Sequence, residues 1–264
     1  MTHPPARPRG GPRRYRRGDA RSYALGDWPA LEALRHAPER VEAVLLDPAL
    51  TGARRERLEQ AARAALVPCR DDPATLHALR HRSDALALAL VRTGDDALTP
   101  AATHLALLAT RNAGNLGAAL RSALGFDLRD VALIAPAVDP WSPHVLRASL
   151  GARFALRVAR YDDWGAYRAA HPRQRAALFA PPRPDQPGTA LPDWRTQAPT
   201  TLVFGPEWHP DAAAEAGTAS LVPSGGDDLD GAERVHIPQH PDLESHNLAV
   251  AVGVALYALR HGAC

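Results

Sequence analysis

Apolar and polar positions along the chain alternate with two periods, one typical of buried strands and one typical of amphipathic helices. Between residues 22 and 93 short apolar runs alternate with stretches of helical period, which predicts a small α/β module. Its predicted elements are helices at 29–37, 53–66 and 74–81, strands at 41–46 and 85–91, and an extended segment at 67–70.

A polar, turn-rich segment at 94–100 predicts a domain boundary, and beyond it the alternation of strand and helix begins again. Repeated strand–helix units favour a parallel sheet. We expect Gly125 to cap the end of the first helix and Ser142 to cap the start of the second. The predicted strands are 104–109, 131–135, 154–158, 176–180, 201–204 and 235–237, the predicted helices are 115–124, 142–150, 164–170 and 248–260, and 181–199 and 224–230 are predicted loops.

The distribution of charge adds to these predictions only at the start of the chain. The net charge is +2, but residues 1–21 carry seven arginines against the single acid Asp19, and this segment is too polar to fold alone. It is either a solubilising tail or an arm that contacts nucleic-acid phosphates. The expected organisation is therefore a disordered basic tail at 1–21, a small domain at 22–94 and a larger domain at 100–264.

The cysteines indicate a reducing compartment. Cys69 and Cys264 are the only two, which excludes a disulfide framework or a zinc ribbon. No apolar run approaches the length of a membrane span, and no signal peptide precedes the first domain. We expect a cytoplasmic protein without a membrane contact and without a metal site.

Three segments carry the candidate chemistry. In the first, R-N-A-G-N-L-G-A-A-L-R at 111–121, a strand runs into a glycine turn and then a helix, a junction that binds phosphates and nucleotides in many proteins. Gly114 and Gly117 are expected to let the backbone approach a ligand closely. The second and third segments are F-G-P-E at 204–207 and E-S-H-N-L at 244–248.

In order and spacing these three segments, together with 138–152, resemble the SpoU-type RNA methyltransferases of the SPOUT superfamily, also called the TrmH family. The resemblance runs from about residue 104 to the end of the sequence. Residues 22–93 more weakly resemble the L30e-like substrate-binding domain that precedes this catalytic domain in many members. The resemblance to the SpoU-type enzymes implies a trefoil-knotted α/β fold, a homodimer and S-adenosylmethionine-dependent methylation of a ribose 2′-hydroxyl in ribosomal or transfer RNA.

The resemblance also assigns site residues. Arg121 lies about 9 Å along its helix from Asn115, so both are expected to face one substrate. A guanidinium keeps its proton, which favours positioning and charge stabilisation over proton removal. The expected catalytic residues are Asn115, Arg121, Glu207, Ser245 and Asn247, and the expected cofactor-binding residues are Phe204, Gly205, Ile237 and His246.

The sequence departs from the family pattern beside two of these residues. Trp208-His209-Pro210 stands where a glycine is usual after Glu207, and His246 replaces a leucine. The five polar residues favour an active enzyme, whereas the altered second segment favours an impaired, RNA-binding or ribosome-associated protein of the same fold. The sequence leaves both hypotheses open.

Overall fold

The structure, a computed structural model, divides the chain into two compact units that meet between Thr93 and Gly94. No helix among the residues described is long and apolar enough to cross a membrane. The described residues are 13–80, 83–182, 187–196, 199–205, 229 and 231–261.

The first unit is a four-stranded sheet with three helices, in the strand order β1-β4-β2-β3. Strands β1 and β2 both pair antiparallel to β4, and β3 pairs parallel to β2. The apolar run of β2 is buried at nearly every position, as expected of a strand inside a sheet. The elements are β1 (Arg21–Leu25), α1 (Asp27–His36), β2 (Val41–Leu46), α2 (Gly52–Ala64), β3 (Cys69–Asp71), α3 (Pro73–Arg80) and β4 (Ala87–Arg92).

The last residue of the predicted tail belongs to the sheet of this unit. Arg21 already pairs with Arg92 across the sheet. Ahead of it, the backbone amide of Arg16 donates to the Asp19 carboxylate at 2.8 Å, and the Thr93 hydroxyl donates to the Asp19 carbonyl. The single acid of this segment therefore organises a turn that leads into β1.

The second unit is built on a seven-stranded sheet in which every pairing is parallel, with the strand order β7-β6-β5-β10-β8-β11-β9. The expectation of an α/β protein with a parallel sheet is confirmed. The elements are β5 (His104–Leu108), α4 (Ala113–Gly125), β6 (Asp130–Ile134), α5 (Pro143–Ala148), β7 (Arg157–Tyr161), α6 (Trp164–Ala170), β8 (Arg175–Phe179), β9 (Thr189–Ala190), β10 (Thr200–Phe204), β11 (Glu233–His236) and α7 (Leu248–His261).

The central strands of this sheet are covered on both faces. Leu105 and Leu107 of β5 belong to one apolar cluster, and Ala106 and Leu108 belong to another on the opposite face. All five residues of β5, β6 and β10 are buried. Because both faces of these strands are buried, each strand is a nearly continuous apolar run in the sequence.

Several details differ from the sequence-based predictions, among them strand β1, which was not predicted. Gly125 is the last residue of α4 and not its left-handed cap, because the positive φ of +60° falls on Asp127. Phe154 lies in a 3-10 helix (Ala152–Ala155), so the next strand begins three residues later than predicted. The predicted loop 181–199 contains the two-residue strand β9, which adds to β11 at the sheet edge.

The predicted boundary segment at 94–100 is held by the second unit. Asp96 exchanges hydrogen bonds with the Val158 backbone and pairs with the buried Arg153 at 2.9 Å. The Trp141 indole donates to the Gly94 carbonyl at 3.0 Å. The polar residues of this stretch therefore serve as anchors to β7 and its neighbours.

Strand order places the candidate site. From β5 the chain continues outward through β6 and β7, whereas β10 and β8 lie on the other side of β5. In open parallel sheets ligands bind beyond the carboxyl ends of the strands at such a point of reversal. The loops after β5 and β10 meet there. The trefoil knot stays a prediction, because residues 206–228, which connect β10 to β11, lie outside the described part of the chain.

Candidate functional site

The helix after β5 begins at an asparagine cap. The Asn112 side-chain oxygen accepts from the backbone amides of Gly114 and Asn115 at 2.8 and 3.1 Å. This leaves Asn115 in the first turn of α4, close to the helix end that carries a partial positive charge. An added Cβ at Gly114 would lie 3.0 Å from the capping oxygen, so a side chain there would press against the cap.

A second helix begins at the same place. The Asn247 side-chain oxygen accepts from the Ala249 amide at 3.0 Å, which caps α7. Its side-chain nitrogen donates to the Asn115 side-chain oxygen at 3.1 Å. One hydrogen bond therefore joins two residues that are 132 positions apart in the sequence. The amino ends of α4 and α7 converge, which favours an anionic or electron-rich group beside them.

Gly117 does not approach a ligand, and the prediction of this role was wrong. It is buried, and a Cβ built on it would lie 2.4 Å from the Cβ of Ala148 and 2.8 Å from the Ser149 amide nitrogen. Glycine at this position lets the backbones of α4 and α5 touch. Close helix packing, and not ligand access, explains this second glycine.

Arg121 lies one turn beyond Gly117 on α4 and is exposed. It makes no hydrogen bond or ion pair with any residue that the structure describes. At 3.6 residues per turn its side chain leaves the helix about 120° around the axis from Asn115. Asn115 is directed towards α7, so the two side chains leave α4 on different sides, and the expectation that both face one substrate stays a prediction.

The expected cofactor-binding residues line the carboxyl ends of β10 and β11. Phe204 is buried and stacks on Phe179 with 4.6 Å between ring centroids. At Gly205 an added Cβ would meet no described residue within 4 Å, and the residues that follow it lie outside the described part of the chain. Ile237 follows β11 and packs on the core of the unit.

The segment before α7 supplies polar atoms. Ser245 and His246 are half-buried, and the Nε2 atom of His246 is buried without a hydrogen-bond partner among the described residues. A buried polar atom of this kind is costly unless a ligand or water satisfies it. Glu207 and the altered Trp208-His209-Pro210 lie outside the described residues, so the structure adds nothing to those predictions.

Asn112 is the functional residue that the sequence analysis missed. The predicted helix began at residue 115, which hid the cap three positions earlier. An asparagine that follows a strand and precedes helix-forming residues is itself the signal of an N-cap. The cap orients the first turn of α4, and with it Asn115.

Chemically, this edge of the sheet can hold a small molecule beside β10 and β11 and orient a polar group with two helix amino ends. Residues 102–212 match the family model described as the SpoU rRNA Methylase family. This chain contains a domain of the SpoU methylase family. The domain spans β5 to β10, and the asparagine-capped α4 lies inside the matched region.

The relatives agree with this assignment. The chain is 33% identical over 156 residues to a Synechocystis protein named as an uncharacterized tRNA/rRNA methyltransferase, and the match covers 59% of this chain and 52% of that protein. The chain thus spans about half the length of this curated relative.

Solved structures of SpoU methyltransferases share the fold. AviRb from Streptomyces viridochromogenes, solved with its cofactor AdoMet, superposes with a TM-score of 0.67 at 20% identity, over 91% of this chain and 90% of that chain. An RNA 2′-O ribose methyltransferase gives 0.63 at 24% identity, over 90% and 87%. At these identities the likeness establishes the SpoU methyltransferase fold.

Proposed function

We propose that this protein is an S-adenosylmethionine-dependent methyltransferase that acts on a ribose 2′-hydroxyl of ribosomal or transfer RNA. The observation that carries the proposal is the hydrogen bond between Asn115 and Asn247, which joins two capped helix ends at the carboxyl edge of a SpoU-family sheet. The retained polar residues Asn115, Arg121, Glu207, Ser245 and Asn247 support an enzyme over an RNA-binding protein of the same fold.

The cofactor proposal rests on the fit of the residues present. No described residue lies within 4 Å of a Cβ added at Gly205, and the buried His246 Nε2 has no hydrogen-bond partner in the described part of the chain. The backbone around Phe204, Gly205, Ile237 and His246 would hold the nucleoside and amino-acid portions. S-adenosylmethionine, when bound, supplies an electrophilic methyl group on a sulfonium.

The side chains would position the acceptor. Asn115 and Asn247 hold each other in place, and the amino end of α4 offers unpaired amides to the ribose or its phosphate. Arg121 would act as a permanent cation that holds the acceptor ribose or its phosphate and eases loss of the 2′-hydroxyl proton, which passes to solvent as the methyl group is transferred. Glu207 and Ser245 would complete the polar shell. Orientation of this kind can account for much of a rate enhancement.

We also propose that the protein acts as a homodimer. Val250, Val254 and Tyr257 are all exposed and recur at helical spacing along α7. This apolar stripe lies on the helix that Asn247 caps, so a second copy of the chain seated there would adjoin the site. That the protein works in the cytoplasm stays a prediction from the sequence.

The dimer has a direct test in solution. Replacing Val254 with aspartate should shift the mass measured by light scattering from two chains to one, since the charge would be buried against the partner. Val252 is buried within the unit and is not part of the test. A wild-type protein that is monomeric at micromolar concentration would contradict the dimer.

The activity is tested by incubating the purified protein with tritiated S-adenosylmethionine and unmodified ribosomal or transfer RNA. We expect label in RNA, resistant to alkaline cleavage at the modified nucleotide, because a 2′-O-methyl group blocks attack by that oxygen on the adjacent phosphate. Label at a base and not at ribose would contradict the 2′-hydroxyl assignment. RNA binding without label would favour the impaired, RNA-binding alternative.

A further inference from the structure

The outer surface of α4 and α5 is basic and carries no compensating acid. Arg121 on α4 and His144 and Arg147 on α5 are exposed, and neither helix contains an aspartate or glutamate. None of the three makes a hydrogen bond or ion pair with the residues that the structure describes. We refer to these three residues, with the exposed Gly114, as the α4–α5 basic surface.

Helix packing brings these residues to one side of the unit. The near contact of Gly117 with Ala148 fixes the two helices against each other. Arg121 follows Gly117 by one turn, and His144 precedes Ala148 by one turn, so both lie along the line where the helices meet. Arg147 is turned from that line towards solvent, because Val145 and Leu146 face the core.

Other arginines of this unit behave differently. Arg153, Arg157 and Arg160 each pair with an aspartate at 2.9 Å or less. Those pairs tie strands and loops together, which is a structural use of the side chain. Arg121 and Arg147 have no such acid partner in the described part of the chain, so their guanidinium groups are available to an anion from solution.

We propose that Arg147, with His144 beside it, binds backbone phosphates of the RNA whose target ribose is presented to Asn115 and Arg121. This inference rests on the proposed function and extends it to a residue outside the predicted site. Guanidinium groups match phosphate oxygens in geometry and stay charged at any physiological pH. Phosphate contacts of this kind position a nucleic acid and do not read its sequence.

Gly114 contributes by the absence of a side chain. It is exposed and lies seven residues before Arg121, which places both on the same side of α4. A polynucleotide crossing from Arg147 towards the Asn115–Asn247 pair would meet only backbone there. The α4–α5 basic surface would therefore guide an RNA backbone from Arg147 to the amino ends of α4 and α7.

The test compares three variants for binding to an unmodified large-subunit ribosomal RNA transcript at increasing salt. Arg147→Ala should weaken binding about ten-fold and lower the slope of log affinity against log salt by about 0.7–0.9. Arg147→Lys should restore the slope, because the charge is kept. Arg173→Ala is the matched control, since Arg173 is also an exposed arginine of this unit but precedes β8 at the opposite edge of the sheet.

Two results distinguish this inference from the proposed function. If wild-type protein methylates RNA and Arg147→Ala binds RNA with the same affinity and slope as Arg173→Ala, the basic surface is overturned and the enzyme stands. If wild-type protein neither binds nor methylates RNA, the proposed function itself is overturned. Calorimetric binding of S-adenosylmethionine should be equal in all three variants, and a loss confined to Arg147→Ala would indicate a disturbed fold and contradict a role limited to RNA.

Discussion

At Gly117 a single hydrogen atom in place of a methyl group decides how closely two helices pack. We predict that Gly117→Ala lowers the free energy of unfolding by about 1–3 kcal/mol, because the new methyl group would overlap Ala148. Urea denaturation measures the change. Gly125→Ala on the same helix is the control, since its Cβ would meet nothing within 4 Å, and it should leave stability unchanged or raise it by up to about 1 kcal/mol.

Arg121 is expected to act in catalysis and not in folding, because it is exposed and has no partner among the described residues. Arg121→Ala should abolish detectable methyl transfer while thermal stability and S-adenosylmethionine affinity stay at wild-type values. Arg173→Ala changes the same charge away from the site and should keep full activity. Normal transfer by Arg121→Ala would refute the role assigned to this guanidinium.

Helix caps connect the residue scale to the scale of elements. Replacing Asn112 with alanine removes the acceptor for two amides at the start of α4 and should cost about 1 kcal/mol of stability. Because the same turn carries Asn115, the turnover rate should fall by more than the affinity for the cofactor. Asn112→Asp keeps the acceptor and should restore both quantities, measured by denaturation and by single-turnover transfer.

A buried polar cluster at the amino ends of the strands makes the second unit sensitive to pH. His104 is fully buried, with Nε2 2.8 Å from the Thr99 carbonyl and Nδ1 2.8 Å from the Tyr167 hydroxyl, and a neutral imidazole satisfies both. Burial lowers the pKa of His104, and burial followed by the nearby His104 lowers the pKa of His171. Both histidines are therefore neutral in the folded protein at pH values where the unfolded chain takes up protons.

The direction in which stability changes with pH follows from which state, folded or unfolded, binds more protons. Below about pH 6.5 the unfolded chain binds protons that the folded chain refuses, so stability should fall by up to about 1.4 kcal/mol per pH unit for each histidine. Above that pH this contribution is constant. Urea denaturation between pH 5 and 8 measures the slope, which His104→Gln should reduce. A His104→Gln slope equal to that of the wild-type protein would contradict this origin.

Elements were predictable from the sequence wherever burial forces a pattern. The apolar run of β2 and the whole of α6 were predicted with the bounds that the structure shows. Bounds failed where short-range geometry decides them, as at Phe154, whose apolar side chain suits a 3-10 turn as well as a strand. Strand order and the contact of α4 with α5 depend on residues far apart in the chain, which periodicity does not encode.

The residues of the candidate site were likewise predictable only in part. The resemblance led to Asn115 and Asn247, and the structure brings them into contact. The sequence analysis predicted that Gly117 must be a glycine, but it gave the wrong reason. A glycine that lets a ligand approach and a glycine that lets a neighbouring helix pack closely cannot be told apart in a sequence. The roles assigned to Arg121, Ser245 and Glu207 stay predictions.

At the scale of the whole molecule, each unit has its own core and its own charge pattern. In the first unit several arginines pair with acids, for example Arg54 with Asp27 and Arg21 with Glu42. The α4–α5 basic surface of the second unit lacks such pairing. The net charge of +2 therefore hides a local cationic surface on the unit that carries the site.

The most direct measurement is calorimetric titration of the full chain with S-adenosylmethionine, in parallel for wild type and Gly205→Leu. We predict binding near one molecule per chain for wild type and none for Gly205→Leu, because the larger side chain would occupy the place proposed for the cofactor beside β10. Equal thermal stability of the two proteins is the control for folding. Absence of binding to folded wild-type protein would contradict the enzyme assignment. Equal binding by both proteins would show that the cofactor lies elsewhere than at the carboxyl end of β10.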